Sequence, residues 1–210
     1  LGFLFAIVFF VIFLGFIGLI FEKNEKKAFF YYDGDEKSKN KIAVLNLNGI
    51  IVSNPKNTFD YNYFRKLDAI YPKLIKDYLD NLKEENILGL IISIDSPGGS
   101  VSATNTIYNI LKTYKKVNKI PIYFHTKNIL ASGGYWLALS GDKIFADYGA
   151  LIGSIGVKGP DWIYYNSPTS ISSGVFGQSV ESPNGIQLFS NSAGKSKDMF
   201  NPFRRPTTKE

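Results

Sequence analysis

The first 21 residues, Leu1 to Phe21, carry no charge and consist almost wholly of Leu, Ile, Val, Phe, Gly and Ala. A run of about 20 residues that is apolar on every helical face matches a hydrocarbon core of about 30 Å, at a rise of about 1.5 Å per residue. The pattern therefore predicts a single-pass transmembrane helix over 1–21. A cleaved secretory leader would have a shorter apolar stretch ending in small residues, whereas this one runs into Phe21-Glu22-Lys23-Asn24. Residues 22–40 are rich in Lys, Glu, Asp and Asn and read as a polar linker.

From residue 41 the pattern changes to short apolar runs alternating with helical periodicity. Lys41 to Leu47 reads as a strand, continued by Gly49 to Val52. Leu67, Ile70, Leu74, Tyr78 and Leu82 recur at helical spacing within 61–85, with Pro72 breaking or kinking the helix. Ile87 to Ile94 is a continuous apolar run of strand length, suited to a sheet buried on both faces. A helix is predicted from about Ser100 to Lys116, a strand over Ile120 to Phe124, a short helix over Ala131 to Leu139 and a strand over Lys143 to Ala146. Strands alternating with helices indicate an α/β domain with a largely parallel sheet. Residues 159–190, rich in Ser, Gly, Asn and Pro, carry no clear periodicity.

Composition narrows the chemistry. The 210 residues include no cysteine and one histidine, His125. That excludes disulfides, thiolate metal sites, a cysteine nucleophile and a His-rich metal centre, and no metal or cofactor is expected. Any Ser-His-Asp triad would have to run through His125. The net charge of +6 is spread among interleaved acids and bases, and 45% of residues are hydrophobic. This describes a folded, moderately basic protein with no concentrated nucleic-acid patch.

Two glycine-flanked junctions hold the candidate chemistry. In Asp95-Ser-Pro-Gly-Gly-Ser100 the paired glycines permit a sharp turn at a strand end, and N–H groups at the next helix start can hold a phosphate or an acyl oxyanion. The Gly-Lys-Ser/Thr ending of a P-loop is absent, which argues against nucleotides. In Ala131-Ser132-Gly133-Gly134-Tyr135 a serine sits among small residues at a helix start. Ser132 is either an N-cap or an accessible nucleophile with the Gly133 N–H beside it. Consecutive parallel strands bring both junctions to the carboxyl edge of the sheet, where ligand sites gather.

These two segments, with Ala138 to Ile144 and Gly153-Ser154-Ile155-Gly156-Val157, resemble in order and spacing the SppA-type signal peptide peptidases. The resemblance runs from about Lys41 to the end of the chain. It implies a membrane-anchored serine protease with a ClpP/crotonase-like fold, whose nucleophile matches Ser132. It also implies a lysine base in a Gly-x-x-Lys-Asp segment, which Gly194-Lys195-Ser196-Lys197-Asp198 matches at Lys197, two residues beyond Lys195. Ser154 matches the residue that hydrogen-bonds that lysine, and the turn matches an oxyanion hole formed by Gly99, Gly98 and Gly133. The segment between Val157 and Gly194 is longer than the family pattern.

A lysine can serve as a base only when desolvated, because free lysine titrates near 10.4 and burial lowers this by up to ~3–5 units. Lys197 is therefore expected in an apolar pocket without a carboxylate partner. His125 reads as a partly buried strand-end residue that need not face Ser132, and Asp95 as a brace for its turn. The resemblance further implies hydrophobic peptide substrates such as signal-peptide remnants, a homo-oligomer, and a catalytic domain on the periplasmic side of a bacterial inner membrane. Residues 41–210 would be a protease domain lacking its C-terminal part. A stomatin-associated membrane protease of the same fold and a non-catalytic oligomeric scaffold are the competing readings.

Overall fold

Four parallel strands carry the domain, and the helices between them explain why the site forms at one edge. The computed structural model describes residues 31–35, 37–83, 85–175, 177–194 and 197. The chain divides into two compact units, Leu1–Ser38 and Lys39–Glu210, and the elements below belong to the second. The predicted span over 1–21 lies outside the described residues. Among the described residues no helix is long and apolar enough to cross a membrane.

In chain order the elements are β1 (Lys41–Asn48), α1 (Thr58–Lys66), α2 (Pro72–Asn81), β2 (Ile87–Asp95), α3 (Val101–Asn118), β3 (Ile122–Thr126), β4 (Ile129–Ala131), α4 (Gly133–Ala138), β5 (Lys143–Ala146), β6 (Leu151–Gly153), β7 (Val157–Tyr165), β8 (Ser170–Gly174), β9 (Gly177–Glu181) and β10 (Ile186–Ala193). The main sheet has the order β1-β2-β3-β5, with every pair parallel. This bears out the α/β reading with a parallel sheet. The short pair β4 and β6 is also parallel, and a bridge between Ser96 and Leu130 ties β4 to the end of β2.

Register explains the core. Leu45 lies beside Ile92, Ile92 beside Phe124 and Phe124 beside Ile144, so alternate residues of every strand point to one face. That face packs against α2 through Ile75 and Leu79, and against α3 through Ile107 and Leu111. Each fully buried Leu, Ile or Phe contributes about 1.5–3 kcal/mol. The expectation of burial on both faces is corrected. Ile91 is only half-buried, and Ile42, Val44 and Phe145 on the second face are exposed. The physical reason is that α2, α3 and α4 form one continuous layer on the other side.

Pro72 ends the ambiguity over 61–85. It is the first residue of α2, where its fixed φ suits the helix and its missing N–H costs nothing. Tyr71 before it is extended, so of the two readings Pro72 breaks the periodic run into two helices rather than kinking one. Ser100 caps α3, its Oγ accepting from the Ala103 N–H at 3.3 Å.

The segment without periodicity folds as a long antiparallel hairpin. β7 pairs with β10 and β8 with β9, and the two pairs are joined where the Asn166 N–H donates to Gly185 O and the Thr169 N–H to Glu181 O. Neighbours on opposite faces, Trp162 and Ile163, are both exposed, at 55% and 54%. With no buried face there is no inside–outside alternation to read. Trp162 stacks on Phe189 at 5.3 Å between ring centroids, and Tyr164 meets Phe189 edge-on.

Candidate active site

The site begins with Asp95, the last residue of β2. Its carboxylate accepts from Thr126 Oγ1, from the N–H groups of Lys127, Asn128 and Ile129, and from Asn128 Nδ2, at 2.8–3.1 Å. Burial alone would raise its pKa, but the hydrogen bonds from Asn128, Thr126 and Ile129 outweigh it and hold Asp95 at about 2. Asp95 thus clamps the β3–β4 connection to the end of β2, the bracing role read from the sequence. The folded pKa lies below the ordinary 3.8, so this stabilisation is complete above about pH 4 and is lost as pH falls through about 2. Asp95→Ala is expected to cost on the order of 2–4 kcal/mol at pH 7. Urea titrations at pH 7 and pH 3 should show the gap between variant and wild type shrinking at the lower pH.

The Pro97-Gly98-Gly99 turn follows directly. Gly98 has φ +95° and Gly99 φ +153°. A Cβ on Gly98 would lie 2.7 Å from both Gly133 N and Ser132 Cβ, and one on Gly99 would lie 2.1 Å from Ile51 O. The turn is therefore pressed against the Ser132–Gly133 backbone, which only glycine allows. The Gly98 N–H donates to the buried Ser96 Oγ at 3.1 Å. Among the described residues the N–H groups of Gly99 and Gly133 have no acceptor. Of the three predicted donors, Gly98 is occupied by this internal bond, and Gly99 and Gly133 remain to face a ligand.

Ser132 connects β4 to α4 with φ +52°, a conformation that costs a non-glycine residue about 1–3 kcal/mol. Its N–H donates to Gly153 O at 2.9 Å and its carbonyl accepts from the Trp136 N–H at 3.0 Å, which hold the backbone there. The side chain makes no capping bond to α4. The N-cap alternative therefore fails, and Oγ is left to other partners.

The partner is Lys197, 65 residues later. Its Nζ lies 2.8 Å from Ser132 Oγ, 2.9 Å from Ser154 O and 3.1 Å from Ser154 Oγ. Backbone geometry explains how it arrives. Gly153 O holds the Ser132 N–H, and Gly156, at φ +142°, lets the β10 end approach so closely that a Cβ there would meet Ala193 O at 2.2 Å. The start of β7 and the end of β10 thereby hold Gly194 against Ile155 and Gly156, and Lys197 reaches Ser154 and Ser132. Desolvation by burial lowers the Lys197 pKa below the ordinary lysine value. Among the described residues no carboxylate pairs with it.

The Ser154 carbonyl can only accept, and Ser154 Oγ can accept a second hydrogen, so a neutral amine held by both would turn its lone pair toward the Ser132 hydroxyl. Such an arrangement can remove the Ser132 proton. His125 cannot: its Nε2 lies 2.9 Å from Asp147 Oδ1, and its strand position puts it on the opposite face from Phe124. Beside Ser132 an apolar pocket of about 230 Å³ is lined by Val101, Tyr135, Trp136, Leu139, Ile155 and Val157.

Ser96 and Thr104 are two further residues of the site, beyond those expected from the sequence. Ser96 is wholly buried and anchors the Gly98 N–H. Thr104, also wholly buried, donates to Ser100 O at 2.8 Å, and its Oγ1 would lie 2.6 Å from a Cβ on Gly133. A serine just before Pro-Gly-Gly was the available signal for the first; nothing in the sequence distinguishes Thr104 from any helical threonine.

Part of the chain is similar to known proteins. Residues 114–179 match peptidase family S49. An inferred signal peptide peptidase SppA of Enterococcus faecium is 29% identical over 173 residues, covering 82% of this chain and 45% of its own length. Protease 4 of Haemophilus influenzae is 33% identical over 118 residues, 56% of this chain and 18% of its own. The chain thus spans less than half the length of these relatives. A solved structure of a mutant 1510-N membrane-bound stomatin-specific protease superposes with a TM-score of 0.43 at 22% identity, covering 63% of this chain and 54% of that one. The family match includes Ser132, Gly133 and Ser154 and leaves Gly98, Gly99 and Lys197 outside it.

Proposed function

From a chain that carries a peptidase family S49 segment over residues 114–179, we propose a membrane-anchored serine endopeptidase that works through a Ser132/Lys197 dyad. The observation that carries the proposal is the 2.8 Å approach of Lys197 Nζ to Ser132 Oγ, with both Ser154 oxygens on the same nitrogen. Neutral Lys197 takes the Ser132 proton as Oγ attacks the peptide carbonyl. The N–H groups of Gly99 and Gly133 receive the oxyanion, and Gly98 shapes the turn that presents them. Collapse of the tetrahedral intermediate breaks the C–N bond, and the lysinium protonates the departing amine. Water, deprotonated by Lys197, then hydrolyses the acyl-enzyme and restores Ser132. The residues named complete this cycle without a metal or cofactor.

The substrates proposed are hydrophobic peptides such as cleaved signal peptides. The support is the apolar lining of the pocket next to Ser132. Residues 1–21 would be the anchor, 22–40 the linker and 41–210 a ClpP/crotonase-like protease domain, on the periplasmic side of a bacterial inner membrane. Homo-oligomerisation is proposed because a two-stranded ribbon with apolar residues on both faces is marginal alone in water. The full chain is expected to hydrolyse an apolar peptide, and to lose about 100-fold in kcat/KM when the apolar residue beside the scissile bond becomes glutamate. Equal rates for the two peptides would remove the proposed specificity.

A further inference from the structure

A second recess among the described residues lies at the opposite edge of the sheet. It has a volume of about 670 Å³ and is lined by Lys112, Lys115, Lys116, Lys119, Pro121 and Asp142, among others. Ile120 and Pro121 immediately precede β3, and Asp142 immediately precedes β5. Because all four main strands are parallel, this is the amino edge, whereas the Gly98–Gly99 turn follows the carboxyl end of β2.

The charges of the recess are one-sided. Lys115 is engaged by Asp142, which also accepts from the Ile122 N–H at 3.0 Å. Lys112, Lys116 and Lys119 are exposed and form no ion pair among the described residues. Lys112 instead lies 5.9 Å from the centroid of the Tyr108 ring. The helix dipole accounts for a lysine in the last turn of α3, but not for four lysines around one neutralised carboxylate. Apolar groups lie among them, since Ile120 and Pro121 line the same recess. Lysine stems over apolar groups, with the ammonium heads at the rim, suit a surface of phosphate headgroups above acyl chains.

Where the chain enters the domain points to the same occupant. β1 starts at Lys41 on this amino edge, and its first residue pairs with Ile87, the first of β2. The apolar run of 1–21 precedes it by the polar stretch 22–40. We infer that the lysine-rimmed amino edge, built from the end of α3 and the starts of β3 and β5, docks on an anionic phospholipid surface. Anionic headgroups attract clustered lysines at this range, and the attraction falls away within a Debye length. The catalytic edge would then stand about one strand length, roughly 30 Å, from the headgroups.

The test uses the full chain in nanodiscs of phosphatidylcholine alone or with one-third phosphatidylglycerol. Incorporation into discs is scored separately and tests the anchor by itself. Hydrogen exchange of the segment 112–121 should slow by about tenfold in the phosphatidylglycerol discs, and the protection should vanish in 0.5 M NaCl. Lys112→Glu with Lys116→Glu should abolish it while leaving hydrolysis of a soluble peptide and exchange in phosphatidylcholine discs unchanged, which shows the variant is folded. Equal exchange in both discs, or protection that survives the double charge reversal, would overturn the inference. Protection brought about by a DNA duplex in phosphatidylcholine discs, without an effect of phosphatidylglycerol, would assign the edge to another polyanion and overturn it equally.

Discussion

Ser132→Ala is expected to lower peptide hydrolysis by about 10⁴-fold or more, Lys197→Ala by a comparable factor, and the double variant by no more than either alone. The non-additivity follows from the geometry. Oγ and Nζ, 2.8 Å apart, act on one proton, so losing either partner removes the same step. Lys197→Arg should not rescue activity, because a guanidinium stays protonated and has no lone pair to offer. Ser154→Ala removes one of three partners of Nζ while the Ser154 carbonyl remains. Its rate should fall by only about 10-fold to 100-fold, since it acts through Lys197 rather than on the substrate. Lys195→Ala should behave as wild type. Rates of a purified full-length set on one apolar peptide check the order, and a fast Lys197→Ala enzyme would exclude that residue as the base.

The second large effect is expected at Gly98. Gly98→Ala would put a methyl 2.7 Å from Gly133 N and from Ser132 Cβ, at φ +95°. Gly133 N is a backbone atom and Ser132 Cβ is fixed to its own Cα, so neither can swing aside, the turn must move away from Ser132, and the Gly99 N–H moves with it. A misplaced oxyanion donor costs about 10²–10³ in kcat. The control is Gly149→Ala. Gly149 has φ +88°, yet an added Cβ meets nothing within 4 Å. It carries the same kind of backbone strain, of order 1 kcal/mol, without the clash. Near-normal kcat is expected for Gly149→Ala, and a loss in kcat rather than KM for Gly98→Ala. Similar kcat values for both variants would show that the turn is not where the oxyanion is held.

Much of this arrangement is legible in the sequence. The run 87–94 is long enough and apolar enough to be read as a strand, and Gly-Gly after it as a turn, because both signals are local. The pairing of Ser132 with Lys197 is not local; it spans 65 residues, and only the ordered motifs suggested it. Periodicity failed over 159–190 for a physical reason: Trp162 and Ile163, on opposite faces, are both exposed, so nothing forces apolar and polar residues to alternate. The open second face of the main sheet was also invisible. Ile42, Val44 and Ile91 look like core residues, and only the position of the helices reveals that they are not enclosed. Ser96 shows a further limit, since its value lies in a hydrogen bond to Gly98 inside a turn whose shape the glycines set.

The pH dependence of covalent labelling at Ser132 puts the dyad to the most direct test. Burial lowers the Lys197 pKa, so the neutral amine is populated at lower pH than for a solvated lysine. A serine-reactive fluorophosphonate would be reacted with the full chain and the adduct located by mass spectrometry. One adduct is expected, on Ser132, whose rate rises with pH through a single ionisation below the ordinary lysine value and then levels off. In Lys197→Ala that ionisation should disappear and labelling should slow by at least about 10³-fold. Labelling of Ser132 with the same rate and pH profile in Lys197→Ala would contradict the dyad, and an adduct on any other serine would contradict the site itself.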